Sequence, residues 1–195
     1  MPPDEGDALY GFALDVALEF PLLPMLEIGS YCGRSTVWLG AAARAANTVL
    51  YTVEHHRGSE ENQSGWEWHD PSLVDASTGK IDTLAFFRRT ILDAELEDCV
   101  IAVVGYSPVV AKYWNQPLSF LFVDGGHGEE PAHADFVGWT PWVTNGGLLA
   151  IHDVFPDPKD GGRAPYEQIY LPALASGRFV LENQIGSLRV LRCIH

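Results

Sequence analysis

The stretch that most constrains this chain is residues 25–36, Met-Leu-Glu-Ile-Gly-Ser-Tyr-Cys-Gly-Arg-Ser-Thr. A short apolar run (Met25, Leu26, Ile28) halts at Gly29, a tight polar turn through Gly33 follows, and a helix opens. Val37, Ala41 and Ala45 recur on one face of that helix, with Trp38 and Ala42 beside them. Ser35 and Thr36 suit its first turn and Asn47 its close. A buried strand that feeds a glycine turn into a helix N-terminus aims backbone N–H groups and a helix dipole at one point. In an open parallel sheet, that first strand–helix turn lies where ligands bind.

The spacing narrows the ligand. A dinucleotide fingerprint needs G-x-G-x-x-G, and Tyr31 and Arg34 occupy two of its glycine positions. What stands here is Glu27-x-Gly29-x-x-x-Gly33.

The remaining pattern is strand alternating with helix. An apolar stripe over residues 7–20 ends at Pro21 and Pro24, behind a loose leader at 1–6. Strands follow at Val49–Glu54, Val100–Val104, Leu118–Val123 and Leu148–Ile151, the last entered through a turn at Asn145-Gly146-Gly147. Helices fit 81–95, 107–115, 130–142 and 165–175. Phe179–Asn183 and Leu188–Arg192 read as a hairpin through Gly186-Ser187. Residues 55–80 break the pattern and read as a lid or insertion loop carrying His55, His56, Trp66, Trp68 and His69. The expected fold is therefore α/β: a seven-stranded, mostly parallel sheet with helices on both faces and an antiparallel C-terminal hairpin strand, all in one domain over 1–195.

Composition limits the partners. The net charge is −14 and the cations are scattered, so no basic stripe exists to neutralise a phosphate backbone. A small molecule is the better partner than nucleic acid. No run is long and apolar enough for a membrane span, and the acidic start lacks the basic residues of a signal peptide. Three widely spaced cysteines (Cys32, Cys99, Cys193) point to reduced thiols and a cytoplasmic setting. The apolar N-terminal helix and the aromatic segment 136–142 offer faces for a homodimer.

Glu27-x-Gly29-x-x-x-Gly33, with Asp124-Gly-Gly-His127 after the fourth strand and His152-Asp153 after the fifth, resembles the class I S-adenosylmethionine-dependent methyltransferases. The likeness is to their small single-domain branch. It implies a Rossmann-like sheet with the cofactor across the strand ends. Gly29 and Gly33 would let the backbone approach the methionine moiety, Ser30, Tyr31 and Ser35 would also bind the cofactor, and Glu27 would orient the loop or the cofactor amine. Glu54, with His55 beside it, would take the ribose hydroxyls, and Tyr106 and Ser107 would border the adenine. Asp124 would border both cofactor and acceptor.

The resemblance further implies O-methylation of a small-molecule hydroxyl. His127 would act as general base beside Asp124, since an imidazole of near-neutral pKa suits that task. The catechol and macrolide-sugar enzymes of the superfamily hold Mg2+ or another divalent cation on acids at positions matching Asp124 and Asp153. Where the catechol enzyme continues with an asparagine ligand, this chain has Val154. His152 would be an active-site wall or an outer support. A rival reading keeps the fold without the reaction, as a sensor or accessory protein that binds the cofactor. A nicotinamide oxidoreductase and a metallohydrolase fit the motifs less well.

Overall fold

The computed structural model describes residues 1–66 and 69–195, so the expectation placed on Trp68 lies outside the described residues. The sheet strands are β1 (Met25–Ile28), β2 (Leu50–Glu54), β3 (Val100–Val104), β4 (Leu118–Val123), β5 (Val143–Ile151), β6 (Phe179–Ile185) and β7 (Leu188–Cys193). Their spatial order is β3-β2-β1-β4-β5-β7-β6. The first five run parallel; β7 lies antiparallel to β5, and β6 antiparallel to β7. The order reverses between β1 and β4, which is where such sheets open a crevice at their strand ends.

Strand periodicity sends alternate side chains to opposite faces. Phe120 and Phe122 join Leu9, Ala13, Val16 and Leu39 on one face, under α1 (Pro3–Glu19) and α2 (Arg34–Ala45). Leu121 and Val123 join Ala132, Trp139, Ile169 and Ala173 on the other. That second face is covered by α4 (Ser107–Tyr113), α5 (Glu129–Trp139) and a π-helical turn Pro165–Tyr170 that runs on as α6 (Leu171–Ala175). α3 (Leu84–Asp93) sets Phe87 and Ile91 against Leu96 and Cys99 near the β3 edge. Both sheet faces are thus buried, as a doubly wound sheet requires.

Several expectations change. Residues 3–6 are not a loose leader: Pro3 starts α1, its fixed φ suiting a first helical position, and Glu5 is 2% exposed. A Cβ on Gly6 would meet the Trp38 ring at 2.4 Å, so the glycine lets α1 close on α2. β5 does not begin after Asn145-Gly146-Gly147 but runs through it; Gly146, at φ 85°, absorbs a register shift against β4. The segment after β2 holds two single 3-10 turns (Glu60–Asn62, Pro71–Leu73) and a two-residue ribbon, Val74–Asp75 with Lys80–Ile81. Among the described residues, no helix is long and apolar enough to cross a membrane.

The faces proposed for a dimer are largely internal. Leu9, Ala13, Val16 and Ala17 of α1 are buried, and Trp139 is fully buried. All three cysteines are free thiols, two of them buried.

Candidate active site

A ladder of backbone bonds continues past the strand ends and gathers the expected residues along one edge. Gly105 N–H donates to Glu54 O (3.1 Å), Gly29 to Val53 O (3.2 Å), Asp124 to Ile28 O (2.9 Å) and His152 to Val123 O (3.1 Å). Gly29, at φ 87°, lets β1 turn beside β4: a Cβ there would lie 2.0 Å from Asp124 O. Three non-glycine residues on this edge, Tyr31, His56 and Asp153, also hold positive φ. Such backbone strain gathers where a site over-determines its loops.

Glu27 does not face the cleft. It is fully buried and accepts from Ser35 Oγ and Thr36 Oγ1, each at 2.5 Å. Burial outweighs both bonds and pushes its carboxyl up to about 7. Glu27 thus ties the end of β1 to the first turn of α2 through Ser35 and Thr36. α2 then opens on Gly33 (φ 91°) with no side-chain cap, leaving first-turn N–H groups for an incoming group. Ser30 is 2% exposed, and its hydroxyl has no hydrogen-bond partner.

Glu54 Oε1 accepts from His56 N–H (2.9 Å), which fixes the carboxylate and leaves its second oxygen for a ligand. His55 stacks on Tyr106 at 4.7 Å between ring centres, forming an aromatic wall at the β2 and β3 ends. His55 Nδ1 accepts from Arg57 N–H (2.9 Å), which sets the ring's orientation. Ser107 turns inward: it donates to Asp135 and accepts from Trp139 Nε1 (2.8 Å). Asp135, 4% exposed, is pushed up to about 6 by burial. The thiol of Cys32, in the glycine turn, is raised to about 11 by burial and then by the nearby acids Asp70 and Glu54, a filler rather than a nucleophile.

The β4 and β5 ends carry a charged chain. His152 Nδ1 lies 3.1 Å from Asp124 Oδ1 and 3.2 Å from Asp153 Oδ1, and its Nε2 donates to Glu5 Oε2 (2.8 Å). His127 Nε2 lies 3.1 Å from Asp153 Oδ2, and its Nδ1 lies 3.0 Å from Glu61 Oε1. Bonds to Asp153 and Glu61 raise His127 to about 10. Burial works against a charged His152, yet its bonds to Asp124 and Asp153 carry it to about 10 as well. Burial alone would raise the Asp153 carboxyl, but the two imidazoles hold it far below the usual range.

Both ring nitrogens of His127 thus face a carboxylate, an arrangement that favours its charged form.

Donor atoms of Asp124, His152 and Asp153 lie within 4.8 Å of one another, close enough to share a cation. Two carboxylates and an imidazole are a chemically suitable donor set. Val154, 1% exposed and apolar, adds no side-chain donor.

Four residues here were not singled out from the sequence. Glu5 lies one helical turn before Leu9 on the buried stripe of α1. Asp135 interrupts the buried stripe of Ala132 and Trp139. A polar residue on an apolar stripe is the signal in both cases. Glu61 had no such signal. Arg189, 4% exposed, donates to backbone carbonyls of Gly186, Leu188 and Val154, bracing the loop after β5.

A family model described as a methyltransferase domain matches residues 26–154. The structure of the O-methyltransferase NovP superposes with a TM-score of 0.74 at 14% identity, over 98% of this chain and 80% of that one. TomG from Streptomyces achromogenes, an O-methyltransferase involved in tomaymycin synthesis and solved with S-adenosylmethionine, gives 0.66 at 15%, over 100% and 82%. An O-methyltransferase from Bacillus cereus, solved with S-adenosylhomocysteine, gives 0.65 at 17%, over 98% and 82%.

Proposed function

This chain belongs to the methyltransferase-domain family, with the class I adenosylmethionine-dependent fold, and we propose that it methylates the hydroxyl of a small molecule. One observation carries the reading. A glycine turn that leads into an uncapped helix N-terminus and a cluster of charged side chains stand at neighbouring strand ends along one edge of the sheet. The similar structures are those of O-methyltransferases, which supports the oxygen acceptor.

The cradle fits adenosylmethionine. Uncapped N–H groups of α2 and the unpartnered Ser30 hydroxyl suit the methionine end, the free oxygen of Glu54 suits a ribose hydroxyl, and Tyr106 with His55 suits a flat base. When bound, the cofactor supplies an electrophilic methyl on a sulfonium. The protein's share is to hold acceptor oxygen, carbon and sulfur in line, which is worth a large part of such a barrier. Asp124 is placed to accept the acceptor's hydroxyl proton, and the fixed charge of His127 steadies the oxygen as that proton leaves. Asp124 and Asp153 are also the acids that would hold a divalent cation, whose contribution would be to acidify and orient the hydroxyl. Glu61, from the segment after β2, holds His127 in place and so ties that segment to the acceptor side.

The test is transfer of a labelled methyl from adenosylmethionine to a panel of phenols and sugar hydroxyls, with product analysis by mass. An O-methylated product is expected. Cofactor binding with no transfer to any hydroxyl would contradict the proposal and favour a sensor.

A further inference from the structure

The two outer strands of the sheet are finished differently. At one end, β6 is broken by a register shift between Leu181 and Asn183, and its Glu182 is paired with Arg192 of β7. An irregularity and a charge on the last strand keep an open edge from pairing with another chain. At the other end, β3 has neither. It pairs with β2 in unbroken register from Leu50–Val100 to Glu54–Val104 and has no sheet neighbour beyond it among the described residues. No charged side chain occurs from Val100 to Ala111. Val104 is 55% exposed, and Ile101, Tyr106, Val109 and Tyr113 are also open to solvent. An apolar, uncharged edge strand without proline is a template for further pairing.

We propose that β3 is the seam of a homodimer, two copies pairing antiparallel about a two-fold axis beside Ala102. Leu50 N–H donates to Cys99 O and Gly105 N–H to Glu54 O. Odd-numbered residues of β3 therefore bond inward to β2, and alternation turns the N–H and C=O of Ala102 and Val104 outward. In the proposed register, Ala102 of each copy exchanges both N–H···O bonds with Ala102 of the other. Val104 N–H donates to Val100 O of the second copy, while Val100 N–H stays with Leu96 O (3.0 Å). Val104 then lies opposite Val100 and Ile101 opposite Val103, apolar against apolar on both faces of the joined sheet. A two-fold contact needs a patch that complements itself, and this strand does so. Charge points the same way: chains of net charge −14 repel one another except across an uncharged seam. Asp98, the acid next to the seam, is already paired with Arg44 at 2.7 Å. A five-residue strand alone is smaller than a standard interface of about 800 Å² per partner, and α4, which follows directly, extends the apolar surface with Val109 and Tyr113. Antiparallel pairing sends the strand ends of the two copies to opposite edges of the joined sheet. Both clefts stay open, whatever reaction they carry out.

Sedimentation equilibrium of the full chain, from the low micromolar to the millimolar range, is expected to show a monomer–dimer equilibrium. Val104→Lys should weaken association by at least about tenfold, because a lysine on an edge strand opposes pairing and each dimer would carry two. Ala102→Pro, which removes only an outward N–H, should act in the same direction. Leu181→Lys, on the β6 edge, should leave association unchanged. Far-UV circular dichroism accompanies each variant. Amide exchange in the unmodified protein reads the register without any substitution. The N–H groups of Ala102 and Val104 should slow as concentration rises, while those of Ile101 and Val103, bonded to β2, should not change. A monomer throughout the range would overturn the proposal, as would a dimer indifferent to both β3 substitutions or one lost in Leu181→Lys. Exchange at Ala102 and Val104 that ignores concentration would overturn it even if both β3 variants failed to fold. A monomer whose β3 amides are slowed only by an added extended apolar peptide would give this edge to a different partner and rule out the second copy.

Discussion

The two halves of the cleft are built by different means. On the β1–β3 side, the cradle is made of backbone and near neighbours. Glu27 bonds Ser35 and Thr36, eight and nine residues on, and Glu54 bonds the N–H two residues on. On the β4–β5 side, the cluster is made of side chains brought from afar. His152 meets Glu5 across 147 residues, and His127 meets Glu61 across 66. The glycine turn of the first half can form with its strand–turn–helix unit, while the wall of Glu54, His55 and Tyr106 needs only the adjacent strands β2 and β3. The second exists only when α1, the segment after β2 and the β6–β7 hairpin are all docked. Under the proposed function, binding and chemistry depend on different parts of the fold, and mutations should separate them.

The largest separation is expected from Asp124→Asn. It removes the group placed to take the acceptor proton, so turnover should fall by about 10²–10⁴-fold, the range for a lost acid–base group. Cofactor affinity, measured by calorimetry, should change far less. An equal loss in both would merge the two halves into one unit.

Glu54→Gln should do the reverse with a smaller effect. Losing a charged acceptor of ribose hydroxyls costs about 1.5–3 kcal/mol, or about 10–100-fold in cofactor affinity. Turnover at saturating cofactor should stay close to that of the unmodified protein. Steady-state kinetics with cofactor varied reads both numbers.

A further expected effect is a pH slope in stability. His127 and His152 rise from 6.5 to about 10, so their contribution is fully present below pH 6.5 and is lost as pH rises through about 10. Melting temperature should therefore decline over that window, and His127→Gln should flatten the decline. Glu27, raised from 4.5 to about 7, gives a separate decline between those values that His127→Gln leaves unchanged. A slope in the upper window unaffected by His127→Gln would remove the imidazolium assignment.

The same contrast explains what the sequence made legible. The strand–turn–helix at Gly29 and Gly33 and the two strands Val100–Val104 and Leu118–Val123 follow from local periodicity and turn chemistry, and the structure has them in place. Glu5 was hidden because a short acidic start with two prolines reads as a free end; only its position one turn before Leu9 pointed inward. Gly146 read as a turn because a glycine pair looks the same in a bulge as in a loop, and only the register against β4 distinguishes them. The protonation of His127 depends on Glu61 and Asp153 arriving together, and no spacing along the chain encodes that meeting.

The most direct test of the account is a calorimetric titration of S-adenosylhomocysteine into the unmodified protein and into Glu54→Gln. Micromolar binding at one site, clearly weakened by the substitution, is the predicted result. No binding to the unmodified protein, or binding indifferent to Glu54, would contradict the claim that the β1–β3 side of this cleft is a nucleoside-cofactor cradle.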